Sequence, residues 1–323
     1  MSLPELKETV AGSVVVVAGP TASGKSLLAA DVAEQFGGVV INADSMQVYR
    51  GIEMLSAAPD AALQARAPHR LYGILDPAEP CSAGDWRERA IAEIRIAHSD
   101  GALPVVTGGT GMYLRALMTG LDRMPPIPDD IRSTVRHRME TEGSIALYEV
   151  LRERDPATAR NLAPGDRQRI SRALEMLEVT GQGLHAWQKG GDNFREGDIK
   201  YFSVLLLPPR EALYRAVEAR FDEMVRSGAL NEVRKLAARG LDPALPVMKA
   251  LGVPDLLRHI GGEIDRDAAC RAASQATRRY VKRQFTWFGH QFVADIRIDT
   301  QYSEIKLDKI FSEISSFLLT PCD

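Results

Sequence analysis

Val14–Ala18 is an unbroken apolar run, mostly β-branched, that stops at Gly19-Pro20. A run without polar alternation predicts a short strand buried on both faces. From Gly24 to Gln35 the apolar positions Leu27, Leu28, Ala30, Val32 and Ala33 recur at helical spacing, which predicts a helix lying on a sheet. A second strand is predicted at Val39–Asn42 after Gly37-Gly38, and a third at Leu103–Thr107 behind a helical segment over Gly84–His98. Strands alternating with helices predict an open parallel sheet of the α/β class.

Around Met124 the pattern changes. Pro125, Pro126 and Pro128 break the chain, and helical spacing then runs from Asp129 to Gly183, punctuated at Asp155-Pro156 and at Ala163-Pro164-Gly165. Strand character returns at Lys200–Leu207, and further helices are predicted over Glu211–Arg226, Asn231–Arg239 and Arg266–Phe288. The reading is an α/β core made of residues 1–123 and 200–323, helical toward its C-terminus, interrupted by a helical insertion over 124–199.

Composition narrows the class. At 323 residues the chain holds roughly two domains of about 150 residues. With 45% hydrophobic and 26% charged residues it is globular in composition, which excludes a disordered chain, a collagen-like fibre and a coiled coil. The formal net charge of −3 excludes a uniformly basic nucleic-acid coat, so any such contact must be local. No stretch approaches the roughly 20 apolar residues that cross a membrane, and the N-terminus has no apolar core of signal-peptide length. Cys81, Cys270 and Cys322 are far apart, which argues against a disulfide framework or a cysteine zinc site. A cytoplasmic protein that meets no membrane is expected.

Gly19-Pro20-Thr21-Ala22-Ser23-Gly24-Lys25-Ser26 matches the phosphate-loop pattern G-x-x-x-x-G-K-[ST] in full, between a predicted strand and a predicted helix. There the backbone N–H groups and the helix N-terminus form an anion cradle, Lys25 adds a mobile charge, and the Ser26 hydroxyl can reach Mg²⁺. The motif specifies a polyphosphate rather than ATP in particular. The third strand ends in Thr107-Gly108-Gly109 without the acid that motor ATPases carry, whereas the second leads into Asn42-Ala43-Asp44-Ser45-Met46-Gln47. Asp44 is thereby placed at a strand's carboxyl end, where ligands of open sheets bind. A turn or helix-capping aspartate is the ordinary alternative. Gly108-Gly109-Thr110-Gly111 allows a second close backbone approach.

Between Arg132 and Arg172 there are nine arginines against six acids. A later helical run carries Arg271, Arg278, Arg279, Lys282 and Arg283 beside Phe285, Trp287 and Phe288. Cations interleaved with aromatics suit a nucleic-acid backbone and its bases, although a solvated helix face has the same look.

Together GPTASGKS (19–26), NADSMQVYRG (42–51), APHRLYGILDP (67–77), GGTGMYLRAL (108–117), DRQRISRALE (166–175) and KRQFTWF (282–288) resemble the tRNA dimethylallyltransferases, in that family's order and over most of the chain. The resemblance implies a P-loop NTPase-like parallel sheet core with an inserted helical domain that grips tRNA. It also implies an enzyme that moves a dimethylallyl group from dimethylallyl diphosphate to the exocyclic amine of the adenosine 3′ to the anticodon. Asp44, Thr21 and Lys25 are then the catalytic residues. Gly19, Pro20, Thr21, Ala22, Ser23, Gly24, Lys25, Ser26 and Arg215 bind the diphosphate, with Mg²⁺ at Ser26. The tRNA anticodon stem-loop meets Asp44, Ser45, Met46, Gln47, Thr110 and Arg132, the segment Gln168, Arg169, Ile170, Ser171 and Arg172, and Lys282, Arg283, Gln284 and Trp287. The implied enzyme is a monomer.

The chain departs from the family's pattern in places. Ala58 stands where a lysine is usual, Leu251-Gly252-Val253 replaces an Ile-Gly-Tyr, and Gly289 stands where an arginine often follows Trp-Phe. The diphosphate arginine falls on Arg215 or Arg220. A prenyltransferase for free adenine nucleotides, a P-loop kinase and a non-catalytic RNA binder are the rival readings.

Overall fold

The computed structural model describes residues 10–320 apart from 11, 123, 185, 188–198 and 305. Cys322 and the segment 188–198 of the predicted insertion lie outside the described residues. The chain forms two compact units, Met1–Met118 with Glu196–Asp323, and Thr119–Arg195.

In the first unit β1, Ser13–Ala18, leads through the phosphate loop into α1, Lys25–Phe36. The chain continues through β2, Val39–Asn42, β3, His69–Arg70, α2, Ala83–Asp100, β4, Pro104–Gly108, and α3, Gly111–Thr119. The second unit is helical, with α4, Asp129–Thr141, α5, Gly143–Arg154, and α6, Arg167–Thr180, around Leu147, Leu151, Ile170 and Leu174. On return the first unit adds β5, Lys200–Leu206, α7, Arg210–Arg226, α8, Arg266–Gln291, β6, Ile296–Ile298, and α9, Leu307–Leu319.

The strands form one parallel sheet in the order β3-β2-β4-β1-β5-β6. β1 is central, and its alternate residues serve opposite faces. Val14, Val16 and Ala18 pack with Trp86, Ile94 and Leu114, while Val15 and Val17 pack with Leu28 and Val32 of α1 and Ile310 and Ile314 of α9. Each fully buried valine contributes about 1.5–3 kcal/mol, so the strand is a rigid rail for the loop at its end. The edge strands β3 and β6, of two and three residues, were not predicted. Runs that short carry no hydrophobic period. The parallel arrangement brings the carboxyl ends of β1, β2 and β4 to one edge, and with them the Gly19–Gly24, Asp44–Gln47 and Gly109–Thr110 loops. No helix among the described residues is long and apolar enough to cross a membrane.

Candidate active site

The phosphate loop curls because Ala22 and Gly24 take left-handed φ values of 67° and 88°, and α1 starts directly after Gly24. The Lys25 ammonium rests 3.4 Å from the Pro20 carbonyl. Removal from water lowers its pKa to about 8, with Asp44 pulling upward and Arg220 downward. The Ser23 hydroxyl, in the same loop, is buried without a hydrogen-bond partner.

The Asp44 loop is held from several sides. Asp44 Oδ1 accepts the Met46 N–H at 2.9 Å, which is the turn role the sequence left open, and it occupies one carboxylate oxygen. The Ser45 N–H donates to Thr110 Oγ1 at 3.0 Å. Gln47 is buried, and its amide donates to the carbonyls of Ser56 and Ala57 at 3.0 and 2.9 Å.

Two cavities meet here. The first, about 350 Å³, is lined by Thr21, Ala22, Gly24, Lys25, Ser26 and Leu27 of the loop together with Asp44, Gln47, Ser56, Ala57, Ala216 and Arg220. The second, about 210 Å³, is lined by Thr21, Asp44, Ser45, Met46, Leu55, Ser56, Arg220, Lys249, Ala250, Leu251, Tyr280 and Arg283. Thr21, Asp44, Ser56 and Arg220 form the wall common to both. Burial lowers the pKa of the Arg220 guanidinium against the pull of Asp44. Burial raises the Tyr280 phenol, and Asp44 raises it further. Arg283 also lines an open groove of about 730 Å³ along α8 with Arg279, Lys282, Thr286, Trp287, His290 and Gln291. One side chain thus spans from the groove to the inner cavity.

The predicted residues separate accordingly. Thr21, Ala22, Gly24, Lys25, Ser26, Asp44, Ser45, Met46 and Gln47 gather at the two cavities, with Gly19, Pro20 and Ser23 in the same loop and Thr110 beside Ser45. Lys282 and Arg283 are exposed on α8. Trp287 packs its ring against Gly111, where an added Cβ would lie 2.5 Å from it. Gln284 faces inward at 5% exposure. Arg215 is exposed and lines neither cavity, whereas Arg220, five residues further on α7 and so on another face of the helix, lines both.

In the second unit Gln168 and Arg169 are exposed on α6, Ser171 and Arg172 are half-buried, and Ile170 belongs to that unit's core. Arg132 lies 3.9 Å from Asp129, and Arg172 lies 3.7 Å from Glu175. Tyr280, Lys249 and Ser56 went unmarked in the sequence reading. Tyr280 sits four residues before Gln284 in a helix already singled out, so helical spacing could have found it. No such signal exists for Lys249 or Ser56.

The sequence model of the IPP transferase family matches residues 47–291. The chain is 50% identical over 286 residues to the tRNA dimethylallyltransferase of Rhodospirillum centenum, covering 88% of this chain and 91% of that one. It is 48% identical over 308 residues to that of Paramagnetospirillum magneticum, covering 95% and 97%. Among solved structures, the tRNA isopentenylpyrophosphate transferase of Bacillus halodurans superposes with a TM-score of 0.67 at 29% identity, covering 95% of this chain and 97% of that one. A eukaryotic dimethylallyltransferase described as acting on tRNA superposes with a TM-score of 0.78 at 25% identity, covering 94% and 77%.

Proposed function

The chain belongs to the IPP transferase family as a tRNA dimethylallyltransferase, and from that premise we propose how its residues divide the work. The donor is dimethylallyl diphosphate, its diphosphate in the phosphate-loop cavity against Lys25, Arg220 and the hydroxyls of Thr21, Ser23 and Ser26. The acceptor is the exocyclic amine of the adenosine 3′ to the anticodon, flipped out of its stack into the second cavity. The amine nitrogen bonds to the allylic carbon, the carbon–oxygen bond breaks, and its electron pair leaves with diphosphate. Lys25 and Arg220 oppose the charge that develops there. Asp44 accepts the amine proton on the oxygen that Met46 leaves free.

The observation that carries this reading is the shared wall. Asp44 and Arg220 line both cavities, so a base and a cation stand between the place for a leaving group and the place for a nucleophile.

Mg²⁺ fits the donor set. Such an ion needs only one or two protein oxygens when substrate phosphates and water complete its shell, and the Ser26 side chain that would hold it lines the phosphate-loop cavity. When bound it neutralises charge on the diphosphate. The groove that holds Lys282, Arg283 and Trp287 takes the tRNA backbone near the flipped base. On the second unit Arg132, Gln168, Arg169 and Arg172 take phosphates. The enzyme works in the cytoplasm as a monomer.

The test combines protein, Mg²⁺ and labelled dimethylallyl diphosphate with unmodified tRNA, and with AMP and ATP in parallel. Label is expected on tRNA alone. Label on AMP alone, or consumption of ATP without prenylated tRNA, would defeat the proposal. Asp44→Asn is expected to lose about 10²–10⁴-fold in turnover while tRNA binding survives. A variant with near-normal turnover would remove Asp44 as the base.

A further inference from the structure

Gln284 lies on α8 between the exposed cations Lys282 and Arg283 and the groove tryptophan Trp287, yet its side chain is turned the other way and is 5% exposed. Its Oε1 accepts the Thr21 N–H at 2.9 Å, and its Nε2 donates to the Gly109 carbonyl at 2.8 Å. A Cβ at Gly109 would lie 2.5 Å from that Nε2, so the glycine is what lets the amide in.

The first bond ties down a backbone donor of the phosphate loop. Successive N–H groups in such loops point at the anion, but that of Thr21 is committed to a glutamine 263 positions away. The opposite edge of the same peptide, the Pro20 carbonyl, accepts Lys25. One peptide plane is therefore held between Gln284 and the loop's own lysine. On the other side, Gln284 holds the Gly109 carbonyl, and the next residue, Thr110, accepts the Ser45 N–H on its hydroxyl. The path Thr21–Gln284–Gly109–Thr110–Ser45 joins the phosphate loop to the Asp44 loop through a single α8 side chain.

We propose that Gln284 is a positioning residue that sets the phosphate loop against the Asp44 loop, and that it makes no contact with tRNA. The inference rests on the proposed function. A side chain that fixes two loops contributes to the geometry of attack. A misplacement of about 1 Å can cost about 10²-fold, whereas a contact with tRNA contributes to affinity. The loss on removing Gln284 therefore falls on kcat, while tRNA affinity stays as it was.

The experiment uses the full chain with unmodified tRNA and dimethylallyl diphosphate. It compares Gln284→Met, which keeps length and loses both bonds, with Lys282→Ala on the exposed face of the same helix. For Gln284→Met, kcat is expected to fall about 10–100-fold, with KM and Kd for tRNA within about twofold of wild type. For Lys282→Ala the change is expected in KM and Kd. Where Gln284→Met yields too little folded protein, Gln284→Asn, one methylene too short to span both partners, gives the same split. A raised Kd for tRNA with kcat intact overturns the inference, because Gln284 would then be a tRNA contact. Unchanged kcat overturns it as well. Wild-type protein that leaves tRNA unprenylated removes the function beneath it, a result distinct from either.

Discussion

Asn42 brackets Asp44. Its Oδ1 accepts the Asp44 N–H at 2.8 Å, and its Nδ2 donates to the carbonyls of Asp44 and Leu71, each at 3.1 Å. Asn42 is fully buried, and its own carbonyl accepts the Trp86 indole N–H at 2.8 Å. Trp86 in turn stacks on Tyr113 with ring centroids 4.5 Å apart. The backbone of Asp44, the proposed base, is thus fixed before its carboxylate makes a bond of its own. Asn42→Asp keeps the shape but turns the donating amide into a second acceptor facing two carbonyls. Each buried group left unpaired costs about 1–3 kcal/mol. The variant is expected to lose stability of that order in denaturant unfolding, and to lose turnover by about tenfold or more. Wild-type values for both would show that the bracket is idle.

Arg220 and Arg215 make opposite predictions. A guanidinium hydrogen-bonded to a diphosphate is worth about 1.5–3 kcal/mol, or about 10–150-fold in affinity. Arg220→Ala is expected to raise the donor KM by a factor in that range, with partial recovery in Arg220→Lys. Arg215→Ala, on the exposed side of α7, is expected to leave donor KM and stability unchanged. Initial rates over a donor series decide it, and a reversed pattern would return the role to Arg215.

These cases show which parts of the site were legible in the sequence. The phosphate loop and the Asp44 loop each form a short contiguous string after an apolar strand, so local pattern marks them. Helical spacing alone puts the start of α2 at Gly84, whereas a Ser82–Asp85 capping box begins the helix at Ala83. Arg220 and Gln284 are different. The family resemblance put the diphosphate arginine on Arg215 or Arg220 and put Gln284 on tRNA. Helical phase puts Arg215 outside and Gln284 inside, and only the packing of α7 and α8 sets that phase. The edge strand β6 follows the same logic, since three residues acquire their role from β5 beside them.

Gly111 tests the packing of α3 on α8. With a Cβ 2.5 Å from the Trp287 ring, Gly111→Ala must displace an indole that also packs edge-on against Phe288 at 5.1 Å. Overpacking of this kind costs about 1–3 kcal/mol. The denaturation midpoint is expected to fall by a matching amount, and Trp287→Leu is expected to relieve most of the added cost in the double variant. Additive losses would mean that the two side chains do not meet.

Lys25 gives the pH dependence. Its pKa is lowered from 10.5 to about 8, chiefly by removal from water, so the empty site holds a cation below that pH and a neutral amine above it. A diphosphate favours the charged form, and above the pKa its binding must take up a proton. Donor affinity is expected to hold near neutrality and to fall by up to about tenfold per pH unit once the pH passes the Lys25 value. Calorimetry in buffers of different ionisation enthalpy would register the proton uptake. Stability runs the other way. The unfolded chain, with the lysine at its ordinary value, binds the extra proton between about pH 8 and 10.5, so this residue's contribution to stability rises with pH across that window. Lys25→Arg carries a charge that does not titrate in this range and is expected to flatten the affinity profile. A wild-type affinity that stays constant from about pH 7 to about 9.5, where the profile should bend, would show that Lys25 keeps its proton in the empty site.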